Sequence, residues 1–278
     1  TLSTMKLATW NVNSLTVRLP QVLDWLAAQA ATGSPVDVLA LQELKMADDK
    51  FPVQAFADVG YHAEWLGQKT YNGVALISRT PASGVVKNLP NFPDDQSRVI
   101  AGSFSFGGAT SVRVIGAYFP NGQAPGSDKF AYKMAWLHAL REQVRTELAS
   151  HPELVLMGDF NITFDDADVW DPEGLRETIH CTTEEREQLQ ALVQLGLADS
   201  LRLFDPPPKS YTWWDYRAMA FRRNRGMRID HILVSDALRP LVQGCHIDKV
   251  PRKNERPSDH TPVVLTLGAA AVAKEAMA

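Results

Sequence analysis

The sequence predicts an α/β layered fold. Strand-like and helix-like segments mix along the whole length, several strands are apolar on both faces, and no repeat period or Pro/Gly/Ser-rich linker divides the chain. A strand that is apolar on both sides needs cover on both sides. Two packed sheets with outer helices would provide it, and so would a single doubly wound sheet. Periodicity does not choose between them.

The elements follow in order. Lys6 to Asn13 reads as a strand ending in "WNVN", and Leu15 to Ala31 has helical spacing with Val22, Leu23, Trp25 and Leu26 on its apolar side. Val36 to Glu43 is a second buried strand. "YNGVALISR" opens on an Asn-Gly turn signal, and "SVRVIGAYFPN" is a further strand. Phe130 to Leu148 is a long helix striped by Met134, Leu137, Leu140, Val144 and Leu148. "LVLMGDFNI", Leu154 to Ile162, is an apolar run bounded by Gly158. Thr182 to Leu195 is a helix with a Thr cap and acids suited to the positive end of its dipole. "RIDHILVS" and "TPVVLTL" are late strands.

The chain has 278 residues, 45% hydrophobic and 22% charged, which suits a soluble globular protein. One domain over residues 1–278 is expected, with a core from about 5 to 268 and a tail at 269–278. A chain this long buries roughly three quarters of its unfolded surface, so it needs no metal or disulfide merely to fold. Met5 is a candidate native start. No apolar run reaches the roughly 18 residues of a membrane span, and the N-terminus lacks the pattern of a signal peptide, so no membrane partner is expected. Cys181 and Cys245 sit in no metal-ligand or C-x-x-C spacing, and so low a count suggests a reducing compartment. His180-Cys181 resembles a thiol site, but no second motif frames it.

A net charge of -4 argues against a general polycation and leaves room for a local basic face. "YRAMAFRRNRGMR" holds Arg217, Arg222, Arg223, Arg225 and Arg228, with Trp213, Trp214, Tyr216 and Phe221 near by. Such a cluster is either a solvated loop or a grip on phosphates and bases.

The chemistry lies at the strand ends. Asn11 and Asn13, Gln42 and Glu43, Tyr118, Asp159 and Asn161, Asp230, and then Ser258, Asp259 and His260 all end or flank apolar strands. One such ending is usually a turn, but six converging ends would make a site of carboxylates, amides, one Tyr and one His. The phosphate-cradling glycine motifs and G-x-S-x-G are absent. Oxygen ligands with few histidines suit a hard cation such as Mg2+ or Mn2+. Metal-assisted hydrolysis of a phosphate ester follows.

"TWNVNSL", "LQELK", "GYFPNG", "GDFNI", "TWWDYR", "RGMRIDHIL" and "PSDHTPV" occur in the order seen in the exonuclease III family of abasic-site endonucleases, within the endonuclease/exonuclease/phosphatase superfamily. The resemblance runs from about Lys6 to Leu267. It implies a four-layered α/β sandwich, with two mixed β-sheets packed face to face and flanked by helices. It also implies Mg2+, with Mn2+ able to substitute, and an activity that cuts 5′ to abasic sites, with accompanying 3′-5′ exonuclease and 3′-phosphatase activity. Glu43 would be the principal metal ligand, with Asn11, Asp159, Asn161, Asp259 and His260 around the metal sites. Asp159 would activate water, Asn161 would hold the scissile phosphate, Asp230 would orient His260, and Tyr118 would meet the phosphate or leaving oxygen. Trp213, Trp214, Met227 and Ile229 would line a pocket for a flipped abasic sugar, which costs less to extrude than a paired base. Arg217 and Arg225 would grip the backbone, and Asn121 stands where exonuclease III has Gln.

Asn13 reads equally as a turn cap and Lys45 as a solvated charge. His231 should face away from Asp230. The expected partner is duplex DNA with abasic or 3′-end lesions, bound by a monomer in a bacterial cytoplasm. The rivals are an enzyme that mainly trims 3′ ends, a non-DNA phosphoesterase of the same superfamily, and a DNA-binding protein without turnover. The intact acidic positions disfavour the last.

Overall fold

The computed structural model describes residues 4–106 and 110–268. The proposed tail at 269–278 lies outside them. In chain order the elements are β1 (Thr4–Asn11), α1 (Leu15–Ala31), β2 (Val38–Gln42), α2 (Val53–Ala57), β3 (His62–Leu66), β4 (Val74–Ser78), β5 (Ser83–Lys87), β6 (Val99–Phe106) and β7 (Thr110–Tyr118). There follow α3 (Asp128–Ser150), β8 (Leu154–Asp159), α4 (Thr183–Val193), β9 (Leu197–Asp199), β10 (Trp213–Trp214), β11 (Gly226–Met227), β12 (Asp230–Ser235), β13 (Val242–Ile247) and β14 (Val263–Gly268).

Two six-stranded sheets form, in the orders β13-β14-β1-β2-β4-β3 and β5-β6-β7-β8-β12-β9, with β10 and β11 as a separate ribbon. Both sheets are mixed: β1 runs parallel to β2 and β7 to β8, while the other pairs are antiparallel. Alternation along the strands then builds four layers. Val155 and Met157 of β8 face Leu7, Ala40 and Leu76 of the other sheet, while Leu154 and Leu156 face Trp136, Leu137 and Leu140 of α3. Ala8 and Trp10 of β1 and Leu39 and Leu41 of β2 pack outward on Val22, Trp25 and Leu26 of α1. The two-sheet alternative is therefore the one that forms, because each sheet has apolar side chains for a helix on one face and for its partner sheet on the other.

The helix ends follow their caps. Ser127 accepts from Phe130 N at 3.1 Å at the start of α3, and Thr182 accepts from Glu185 N at 3.0 Å at the start of α4. Sequence periodicity did not locate β3, β5 or β13. All three are edge strands, partly exposed on both faces, so their residues lack a clean apolar alternation.

Candidate active site

The strand ends meet along one side of the two sheets. Parallel pairing of β7 with β8 sets Tyr118 beside Asp159, and antiparallel pairing of β12 sets Asp230 opposite Asp159. The other sheet supplies Asn11 from the end of β1, Glu43 from just past β2, and Asp259 and His260 from the approach to β14. Ser258 Oγ donates to the Asn11 carbonyl at 2.6 Å, tying chain segments 247 residues apart. Gly158 is required by the backbone: a Cβ there would meet the Ala117 carbonyl oxygen at 1.8 Å.

Asp159 is the centre. Its Oδ1 accepts from Asn161 N at 3.0 Å, and its Oδ2 accepts from Asn11 Nδ2 at 2.9 Å and lies 3.6 Å from His260 Nε2. Burial pushes its carboxyl up to about 8. The carboxylates of Asp230 and Glu43 add to the rise, against the opposing pull of His260 and the Asn11 amide. His260 Nδ1 and Asp230 Oδ2 are 2.8 Å apart. Burial alone would neutralise this imidazole, but Asp230, then Asp159 and Asp259, hold it charged well above the usual histidine range. The other Asp230 oxygen is buried with no hydrogen-bond partner among the described residues.

Glu43, Asp159 and His260 each offer a ligand atom, all within 4.8 Å of one another. Asn11 donates to both carboxylates. The Glu43 and Asp159 carboxylates lie close enough to repel, and a divalent cation would offset that repulsion, so this pair fits the group implied by the sequence, while a charged His260 offers it no lone pair. Glu43 stands just past β2 with φ +56°, its carbonyl accepting from Ser14 N at 2.9 Å. Left-handed backbone is uncommon for such a residue and recurs at functional sites.

Asp259 lies at the rim of this cluster. Its Oδ1 accepts from Asn13 at 3.3 Å and its Oδ2 from Trp213 Nε1 at 3.0 Å. Asn13 in turn accepts from Lys45 Nζ at 2.7 Å, and Lys45 sits 3.5 Å from Glu43. Asn13 and Lys45 are thus neither a simple turn cap nor a solvated charge. They form a chain from Glu43 to Asp259.

Asn161 has φ +50°, and its Nδ2 donates to the Phe119 carbonyl at 2.8 Å. Tyr118 is held protonated, its hydroxyl pushed well above the usual range by burial and by Glu43 and Asp159. Arg98 stacks 5.0 Å over its ring. From Tyr118 a cavity of about 490 Å³ runs past Asn121, Arg98, Gln68 and Tyr71.

On the other flank, Trp213 packs with Met227, Ile229, Val169, Leu175 and Cys181 in a small apolar cluster. Trp214, expected on the same wall, is not there. Its neighbour position on the ribbon turns it the other way, where it is fully buried against Phe221 and donates to Asn224 at 3.0 Å. Arg217 is exposed and paired with Asp215, and Arg225 stacks 4.9 Å over Trp170. Arg228, read with the basic cluster, is a correction: it is 2% exposed and bound to Asp168 and Asp199. His231 packs between Phe160 and Phe164, bonded to the Ile162 carbonyl, and burial pushes it down to about 4. Both cysteines are free, and burial raises the Cys181 thiol, so His180-Cys181 is not an activated pair. Lys133 and Arg98 went unnoticed in the sequence because a single basic residue among apolar neighbours carries no motif.

Comparison with known proteins agrees with this geometry. The model of the endonuclease/exonuclease/phosphatase family matches residues 8–260. Exodeoxyribonuclease III of Haemophilus influenzae is 35% identical over 270 residues, covering 93% of this chain and 98% of that protein. A 3′ phosphatase from Neisseria, solved with a product DNA hairpin, is 51% identical with a TM-score of 0.89, covering 94% of this chain and 98% of that one. An AP endonuclease from Archaeoglobus fulgidus is 33% identical with a TM-score of 0.88, covering 95% of this chain and 99% of that one. Strand ends, sheet order and sequence thus converge: the chain is a nuclease belonging to the exonuclease III branch of the endonuclease/exonuclease/phosphatase family.

Proposed function

We propose that this nuclease uses Mg2+, with Mn2+ able to substitute, to hydrolyse the phosphodiester 5′ to abasic sites in duplex DNA, and that the same centre trims 3′ ends. One observation carries the reading: the buried Asp230–His260 pair faces Asp159 across 3.6 Å, beside Glu43. In this reading Asp159 orients a water and takes its proton. Its raised carboxyl makes the ionised form a stronger base than an ordinary aspartate, and a neighbouring cation would favour that ionised form. Charged His260, aimed by Asp230, faces the oxygen where negative charge develops. Asn161 holds the phosphate, and protonated Tyr118 offers its hydroxyl to a phosphate or leaving oxygen. Glu43, Asp159 and Asn11 would hold the cation, which when bound neutralises charge on the phosphate. Arg217 and Arg225 supply backbone affinity without sequence preference. The protein works as a monomer in a bacterial cytoplasm. Among the described residues no helix is long and apolar enough to cross a membrane.

Two labelled duplexes test this, one with a central abasic-site analogue and one with a recessed 3′ end, each with Mg2+ or chelator. Rapid, chelator-sensitive cutting of the first supports the reading, and no cutting of either overturns it. Progressive shortening of the second alone supports a second reading, in which 3′-end trimming dominates. That reading is favoured by the tight packing of Met227 (7% exposed) and Ile229 (2% exposed) against Cys181, which fills the space beside Trp213 where a flipped sugar would enter. It is also favoured by the kinship to a 3′ phosphatase.

Two substitutions refine the assignment. Glu43→Gln should shift the Mg2+ titration midpoint upward about tenfold or more, the loss of one charged contact. An unchanged titration removes Glu43 from the metal. Trp213→Phe keeps the ring and deletes the bond to Asp259, so it should slow both activities about equally. Trp213→Ala also removes the wall and should slow abasic incision further. If both variants match the parent, neither the bond nor the wall matters.

A further inference from the structure

We propose that Lys133 is a positioning residue that clamps the phosphate-holding turn and the loop after β7 into one unit; this rests on the proposed role of Asn161. Lys133 lies in the second turn of α3 and is fully buried. Its ammonium donates to the Asn161 carbonyl at 2.8 Å, to the Asn121 carbonyl at 3.1 Å and to the Glu185 carboxylate. Three donors meet three acceptors. Glu185, also fully buried, is three residues past the Thr182 cap. Its other oxygen accepts from His180 N and from Thr182 Oγ1, both at 2.9 Å. The ring of the same His180 bonds the same Asn161 carbonyl at 2.7 Å. The Asn161 turn is therefore held from two sides, both referred to the start of α4.

A buried ion pair is a poor device for stability alone, since apolar residues of similar volume often do as well. Apolar residues here would leave the carbonyls of Asn121 and Asn161 without the donor they share. The Asn161 carbonyl belongs to a left-handed turn that no strand or helix ladder satisfies. Only a long stem ending in several donors reaches both loops. The stem itself bears on the first loop: a Cβ on Gly122 (φ +85°) would meet Lys133 Cδ at 2.9 Å. The loop that follows Tyr118 and the turn that carries Asp159 and Asn161 also touch directly, through Asn161 Nδ2 and the Phe119 carbonyl, and Lys133 adds the tie that refers both of them to α3. Lys133 touches no substrate in this account. Its effect belongs in turnover rather than in DNA affinity.

The test uses Lys133→Met/Glu185→Leu, which removes both charges and strands neither, and Lys133→Gln, which keeps one donor. Each is assayed on the better-cut duplex for kcat and KM and checked by melting temperature. Misplacing a reacting group by an ångström costs about 100-fold, so kcat should fall by at least about tenfold while KM stays within about threefold. Lys133→Gln is also placed in an Asn161→Ala background and read by single-turnover cleavage. Residues that act as a unit are not additive, so it should cost less than about twofold more there. A folded variant with parental kcat, or losses that multiply in the Asn161→Ala background, overturns the proposal. If the double variant does not fold, Lys133→Gln and its cycle decide. The parent's own cutting is measured first, so a failure of the functional reading shows there and not in the variants.

Discussion

Asp159→Asn should lower turnover by about 10²–10⁴-fold, the range for losing a general base, while leaving the fold intact. The amide has the same shape, and its oxygen can still accept from Asn161 N or Asn11, the two neighbours that fix the carboxylate. What it lacks is basicity. The same change should not lower the melting temperature in chelator near neutral pH, and the sign follows from proton linkage. Burial raises the Asp159 carboxyl from its ordinary value near 4 to about 8 in the folded protein. Between those values the folded state binds the extra proton, so stability falls as pH rises through that window. Asn carries no such burden. A variant that keeps turnover within tenfold removes Asp159 from water activation. A variant that melts well below the parent in chelator contradicts the linkage.

Arg228→Met should destabilise the protein by roughly 3–5 kcal/mol, the usual cost of removing one partner from a buried ion pair. Arg228 Nε is 2.7 Å from Asp168, and its Nη2 is 2.6 Å from Asp199. Met would leave both carboxylates facing each other without it, though Arg202 still reaches Asp168 at 3.0 Å. Burial works to raise the Asp199 carboxyl, but the Arg228 guanidinium outweighs it and leaves Asp199 below its usual range. A depressed carboxyl contributes stability that is present above its unfolded value and is lost as pH falls through the folded one. The gap between parent and variant should therefore be widest near neutral pH and narrow below about pH 4. Urea unfolding at several pH values measures it. A difference under about 1 kcal/mol at neutral pH would mean the network is no more than a surface pair. Because Arg228 stands between Met227 and Ile229, abasic incision should suffer with it.

The sequence made the centre of the site legible for a physical reason. Polar groups at the ends of apolar strands are costly unless they converge, and Asn11, Glu43, Tyr118, Asp159, Asp230 and His260 do converge. The seven motifs in order then pointed to one family. The supports were illegible for the opposite reason. Lys133, Glu147 and Glu185 are charged residues buried in α3 and α4, so they interrupt the apolar stripe that marks an inward face. Met134 and Leu148, read as part of that stripe, are only half-buried. Trp213 and Trp214 are neighbours, so strand alternation lets only one of them reach the wall, and the register of the ribbon decides that it is Trp213. Asp259 reads as a ligand beside His260, but its oxygens go to Asn13 and Trp213, partners 246 and 46 residues away.

The position of β14 between β13 and β1 has a consequence for how the enzyme comes into being. The last strand inserts beside the first, and Ser258 and His260 close on Asn11 and Trp10 only then. A chain emerging from a ribosome can fold α1, α3 and the β6–β7 hairpin early, since those contacts are local. It cannot hold His260 against Asp159 until the segment through His260 has been made. DNA cutting therefore waits on synthesis of the segment that carries His260 and β14, and a fragment released before it carries carboxylates but no finished catalyst.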